Sequence, residues 1–242
     1  MKPMRAKAVI FDLDGTLASF NLDYKTVRAE VKGYLVKRGV PASILSVNES
    51  IFEMLRKTEI FVKNSSKPSR FLEEIRSEAL AMAEKYELEA AKRTSLLPGA
   101  VETLKALRQM RLKIGLCTIN SEKSMNYILK RFGIADFFDV TVPRNKVNHF
   151  KPHPEHLEAA LKALGASAKD TVVVGDSSVD MQSATELKAI AVGLPTGVST
   201  IEQLTSNGAN YIITSITDLP LLIEKINKTQ KENHRNTLEE KA

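Results

Sequence analysis

Short apolar runs that end in glycine or a polar residue recur along the chain at 8–11, 113–118, around Val140, and at 171–174, 189–193 and 211–214. None alternates strictly between apolar and polar positions, so each predicts a strand covered on both faces, as in a parallel sheet. Between them apolar residues fall at helical spacing over 100–108, 123–132, 154–164, 179–187 and 201–205. Strand and helix alternating at this interval predict an α/β fold, a Rossmann-like doubly wound parallel sheet. The rhythm breaks once. From Ser19 to Leu96 no core strand is legible, and helices are predicted over 24–37, 46–61 and 70–91, with a loop at 64–68. The expected division is an α/β core of residues 1–18 and 97–225, an inserted α-helical cap of 19–96, and a charged C-terminal tail of 226–242. Inserted after the first strand, the helices are expected over that strand's C-terminal end, where open α/β sheets bind ligands, and so to act as a lid.

The first strand runs directly into Asp12-Leu13-Asp14-Gly15-Thr16. Carboxylates so close repel and raise one another's pKa, which a merely structural turn has no reason to accept. Other strand ends carry chemistry too: Thr118 closes KIGLCTIN, Lys151 stands in FKPHPEH, and TVVVGDSSVD supplies Asp176 and Asp180. In a parallel sheet these ends converge on one edge. The meeting set is four carboxylates, a hydroxyl and a lysine. Hard oxygen ligands at that density suit Mg²⁺, which keeps several waters and takes a few carboxylates plus substrate phosphate oxygens. The lysine and hydroxyl beside it would hold the remaining phosphate oxygens, so the composition reads as phosphoryl transfer.

The segments DLDGT, CTIN, KPHPE and GDSSVD, in that order, resemble the four motifs of the haloacid dehalogenase superfamily. LLPGAVETLKAL and KPHPEHLEAALKALG resemble its phosphoglycolate phosphatase-like group, and the likeness covers Lys7 to about Ile223. The resemblance implies a Mg²⁺-dependent phosphatase acting on a small phosphorylated metabolite, a phosphoglycolate-like phosphomonoester. Asp12 is then the nucleophile that forms an aspartyl-phosphate, and Asp14 the general acid for the leaving alcohol and the base for water. Gly15 and Thr16 shape the phosphate-binding turn. Thr118, with Ile119 and Asn120 after it, and Lys151 bind the phosphoryl group. Asp176 holds Mg²⁺ with Asp12 and the Asp14 carbonyl, while Ser177 and Asp180 are auxiliaries, Asp180 acting through water or by holding Lys151. Asp14, which the original dehalogenases lack, argues for phosphotransfer over carbon–halogen cleavage. One departure from the phosphoglycolate phosphatase pattern is Leu187-Lys188, where those relatives often carry Ala-Gly. A phosphomutase of the same fold shares the motifs. A binding or regulatory module with little turnover has no need of Asp14.

Bulk properties narrow the alternatives. The 242 residues are 43% apolar and 26% charged, within the globular range. No apolar run reaches the roughly 18 residues of a membrane span, and the run after Lys7 is too short for a signal peptide. A single cysteine, Cys117, excludes an internal disulfide and fits a reducing, cytoplasmic setting. The formal charge of +6 is spread along the chain without a basic-aromatic pattern, so no nucleic-acid partner is expected. A monomer or homodimer is expected. Cys117 reads as a small buried apolar residue facing away from Thr118's side, and Ser178 as the cap of the helix near Val179. His149, His153 and His156 invite a zinc site, but prolines interrupt any helix that would align them, and that reading is set aside.

Overall fold

The computed structural model describes residues 6–19, 21–65 and 68–228. They divide into two compact units, Asn21–Arg93 and the remainder of the chain. In chain order the elements are β1 (Ala8–Phe11); α1 (Tyr24–Lys37), α2 (Ile51–Lys63) and α3 (Ser69–Arg93) of the inserted unit; α4 (Ala100–Gln109), β2 (Lys113–Thr118), α5 (Glu122–Arg131), β3 (Val140–Pro143), α6 (Pro154–Leu164), β4 (Thr171–Gly175), α7 (Ser178–Glu186), β5 (Ile190–Gly193), α8 (Ile201–Ser206) and β6 (Tyr211–Ile212).

The six strands form one parallel sheet in the order β3-β2-β1-β4-β5-β6. Both faces of β1 are buried, as a parallel strand between helix layers requires. Ala8 and Ile10 face one layer with Cys117, Val142 and Val173, against Leu157, Leu161, Met181 and Leu204 of α6, α7 and α8. Val9 and Phe11, pointing the other way, are equally inaccessible. After β3 the chain crosses β1 through α6 and resumes at β4, so the order reverses around β1 and opens a crevice at the sheet's C-terminal edge. Phe11 lies level with Leu116 and Val174, and the Asp12 amide continues the ladder to the Val174 carbonyl at 2.9 Å. Asp12 therefore emerges at the centre of that edge.

The inserted unit buries a stripe from each helix at i, i+3, i+4 and i+7 spacings: Val27, Val31 and Leu35 of α1; Ile51, Met54, Leu55 and Val62 of α2; Ile75, Ala79 and Ala83 of α3. Helix α2 starts at Ile51, five residues later than the periodicity predicts. Ser46 and Glu49 form local bonds with the amides of Asn48 and Ser46, and Ser50 caps the helix by accepting from the Glu53 amide. Such side-chain bonds compete with the helical ladder. None of the helices among the described residues is long and apolar enough to cross a membrane.

Two details revise the sequence reading. Residues 219–228 are helical, with Ile223 and Ile226 buried, and the Asn227 side chain accepts from the Ala6 amide at 2.9 Å. The ordered core thus passes residue 225, and the rest of the expected tail, 229–242, lies outside the described residues. At the end of α7, Lys188 adopts φ +60°. Its amide donates to the Thr185 carbonyl and that of Ala189 to Ala184, a left-handed helix stop. That conformation explains why glycine suits this position in the resembling group, since a β-carbon is penalised there. Lys188 is exposed, so Lys188→Gly is expected to stabilise the fold by about 0.5–1 kcal/mol, read as a higher urea midpoint with an unchanged slope.

Candidate active site

The site is built around Lys151, which lies on the loop before α6 and is 7% exposed. Its ammonium donates to Asp12 Oδ1 at 2.7 Å, to Asp180 Oδ1 at 2.5 Å and to the Cys117 carbonyl at 2.8 Å, so all three protons have acceptors. Burial alone would lower this lysine's pKa; Asp12 and Asp180 more than reverse it, and the pKa is raised. The backbone behind it is held by His156. Burial and the neighbouring Lys151 push the His156 pKa down to about 4, so the ring is neutral. The Lys151 amide donates to Nδ1 at 3.3 Å, which leaves the proton on Nε2 to donate to the Val142 carbonyl at 2.9 Å. His156 thereby ties Lys151 to β3.

The acids reach this lysine from the ends of β1 and β4 and from the first turn of α7. Asp12 is raised to about 6, chiefly by burial, with Lys151 opposing and Asp180 adding to the rise. Asp176 is raised to about 8 by burial and by the charges of Asp12 and Asp180. Asp180 is the N3 residue of α7: its Oδ2 accepts from the Ser177 amide at 3.2 Å and from the Ser177 hydroxyl. Ser177, not Ser178, is therefore the cap, and Ser178 instead meets Ser199, its amide donating to that hydroxyl at 3.0 Å. One side chain both starts the helix and grips Lys151.

Gly15 has φ +82°, and a β-carbon there would lie 2.5 Å from Asp176 Cγ. The turn needs glycine for its conformation and for the room it leaves the acid. Leu13's carbonyl receives the amides of Leu17 and Ala18, both at 2.9 Å, closing the turn. Thr16 is fully buried with its hydroxyl 3.5 Å from Asp176 Oδ1, a place from which it supports the turn. Asp14 leads away from the other acids; its Oδ2 accepts from Asn120 Nδ2 at 2.6 Å. Thr118, buried at the end of β2, accepts from the Asn120 amide at 3.2 Å. Cys117 is buried, its thiol pushed up to about 12 by that burial, and donates weakly to the His156 carbonyl at 3.6 Å.

Two features escape sequence reasoning. Arg144, 4% exposed at the end of β3, donates to the Ile119 carbonyl at 2.9 Å, and its amide donates to the Asn120 carbonyl at 3.2 Å. Its place just after β3, at the same edge of the sheet, is a signal that could have found it, but a lone arginine after Pro143 makes no motif. From the other side, the loop after β5 closes on Asp176. The Val198 amide donates to Asp176 Oδ2 at 2.8 Å, and a β-carbon on Gly197 would come within 1.8 Å of that oxygen.

Oxygen atoms of Asp12, Asp176 and Asp180 lie within 4.8 Å of one another, a grouping that could hold a metal ion. The donor set fits a hard divalent cation: three buried carboxylates face one ammonium, leaving two negative charges in excess when all are ionised. The Asp14 carboxylate is not in that group.

Fold and site together define a Rossmann-like α/β protein with a buried acid–lysine centre at its topological switch point. The family model of the haloacid dehalogenase-like hydrolases matches residues 6–187, and the chain belongs to that family. Pyrophosphatase PpaX of Halalkalibacterium halodurans is 41% identical over 83 residues, which span 34% of this chain and only 39% of that relative. Pyrophosphatase PpaX of Oceanobacillus iheyensis is 24% identical over 223 residues, 91% of this chain and 98% of that protein. Among solved structures, a hydrolase from Pseudomonas syringae superposes with TM-score 0.65 at 26% identity, covering 91% of this chain and 99% of that one. A predicted phosphoglycolate phosphatase from Haemophilus somnus shares the fold, with TM-score 0.61 at 21% identity over 89% and 97% of the two chains.

The crowded acids set a pH dependence. Without a cation the folded chain takes protons on Asp176 and Asp12 near pH 8 and 6, while the ordinary aspartate value is 3.8. The folded state therefore binds more protons between about pH 4 and 8, and stability falls as pH rises through that window. In EDTA the melting temperature is expected to drop from about pH 5 to about pH 8. Asp176→Asn should flatten the profile, and added Mg²⁺ should raise the melting temperature most at the upper end; a flat wild-type curve would contradict the burial of these acids.

Proposed function

We propose that this chain is a Mg²⁺-dependent phosphatase that hydrolyses a small phosphorylated metabolite, a phosphoglycolate-like phosphomonoester, through an aspartyl-phosphate on Asp12. The observation that carries the reading is the pairing of two differently held carboxylates two residues apart. Asp12 is buried, with one oxygen on Lys151; Asp14 is partly exposed and oriented by Asn120. Phosphoryl transfer asks for one acid that stays ionised to attack and one that exchanges protons. Membership of a hydrolase family and likeness to proteins named as phosphatases support the same class.

In the first half-reaction an Asp12 oxygen forms a bond to phosphorus as the bond from phosphorus to the leaving oxygen breaks. Asp14 delivers a proton to that oxygen. In the second, Asp14 takes a proton from water, the water oxygen bonds to phosphorus, and the Asp12 carboxylate is released with inorganic phosphate. Lys151 keeps Asp12 ionised and aimed, and with the Thr118 hydroxyl meets charge on the phosphoryl oxygens. Arg144 holds the 119–120 backbone in place by its bond to the Ile119 carbonyl. Mg²⁺, held by Asp12, Asp176 and the Asp14 carbonyl, would neutralise phosphate charge, and Asp180 would serve it indirectly by fixing Lys151.

The test is phosphate release from a panel of phosphomonoesters, with pyrophosphate included, in Mg²⁺ or EDTA. Turnover is expected to need the metal, to fall by roughly 10³-fold or more in Asp12→Asn, and to fall by about 10²–10⁴-fold in Asp14→Asn. Equal release from wild type and Asp12→Asn would refute the assignment. Conversion of a sugar phosphate to its isomer without free phosphate would make the chain a mutase.

A further inference from the structure

The loop that carries Lys151 inward carries two histidines outward. His149 and His153 are exposed, with ring centroids 4.7 Å apart, and they meet Glu155 in the first turn of α6. One ligand atom from each of the three lies within 4.8 Å of the others. His149 Nδ1 is 2.6 Å from Glu155 Oε2, while Glu155 Oε1 accepts from the Asn148 amide at 2.9 Å, which fixes the carboxylate's direction. The prolines that break helical alignment do not scatter these residues. They fold the chain back, so that positions 149, 153 and 155 converge while His156 turns into the core.

We propose that His149, His153 and Glu155 form a second metal site, apart from the acidic centre, for a borderline transition-metal dication of the Zn²⁺ class. Two imidazoles and one carboxylate supply three of four tetrahedral positions and leave the fourth to water. Imidazole donors favour Zn²⁺, Ni²⁺ or Cu²⁺ over Mg²⁺, which keeps to oxygen. The hydrogen bond from the Asn148 amide orients Glu155 as an outer partner does in metal sites. A metal ion would take the place of the hydrogen now joining Nδ1 and Oε2. Two features temper its affinity. His153 Nδ1 caps α6 by accepting from the Glu155 amide at 3.2 Å, and losing that bond costs about fivefold. The helix N-terminus also disfavours a cation, which the Glu155 charge offsets. Because Lys151 lies between the two histidines, occupancy ties down both ends of the loop that presents it. The binding itself does not depend on the phosphatase reading.

Calorimetric titration of the full chain with Zn²⁺, in buffer holding millimolar Mg²⁺, tests this. Wild type and Asp176→Asn are expected to show a Zn²⁺ site that His149→Ala and His153→Ala weaken at least tenfold. Zn²⁺ should also slow amide exchange across residues 148–155. His149→Ala removes an exposed side chain with no capping bond, so its folding is not at stake, and melting curves check His153→Ala. Superimposable isotherms for wild type and His149→Ala, or loss of the Zn²⁺ signal in Asp176→Asn alone, would overturn the proposal.

Discussion

One buried ammonium organises the C-terminal edge of this sheet. Lys151 reaches Asp12 after β1, the Cys117 carbonyl in β2 and Asp180 in the first turn of α7. Those partners come from three separate elements, so their alignment depends on the lysine, and its own position depends on His156 and β3. Taking one partner away would leave another charge buried and uncompensated, which costs far more than a surface pair would lose. The fold surrounds this contact with redundancy: a parallel ladder below, a capped helix beside it and a glycine turn above.

The arrangement is electrostatically incomplete by itself. Among the described residues Asp176 forms no ion pair; the Val198 amide and the Thr16 hydroxyl contact it, and burial with the charges of Asp12 and Asp180 pushes its pKa up to about 8. A domain selected for stability alone would have little use for such a group. Its retention makes sense where a cation and an anionic substrate complete the charge balance, because perturbed carboxylates cluster where chemistry needs them. The close approach of Gly15 and Gly197 to the Asp176 carboxylate points the same way. Both backbones crowd an acid that any β-carbon would displace.

Division of labour between Asp12 and Asp14 follows from backbone geometry. Asp12 prolongs the ladder and must face inward, where Lys151 waits. Three residues on, the left-handed Gly15 turns the chain, and Asp14 just before it is directed to Asn120. Identical side chains thus acquire different surroundings within a single turn. Asn120 is itself fixed by Thr118 and by the Arg144 backbone, so the position of the second acid is set from β2 and β3.

Much of this was legible in the chain. Strands buried on both faces leave continuous apolar runs, and parallel topology forces their ends together, so Asp12, Thr118, Lys151 and Asp176 could be placed on one edge from local pattern alone. Helix α1 could be bounded because Asp23 and the apolar stripe mark it locally. What the pattern could not decide was partnership. Asp180 caps α7 with Ser177 and at the same time accepts from Lys151, which is distant in sequence. Arg144 reaches Ile119, the 197–198 loop closes on Asp176, and His149 faces His153 while His156 turns inward. Each of these depends on side-chain direction across chain separations that periodicity does not encode. The sequence by itself determined which groups meet at the sheet edge, because burial and strand order are local and topological constraints. Only the tertiary structure decided which atom of each group faces which partner, because that choice is made by packing and by the balance of buried charge.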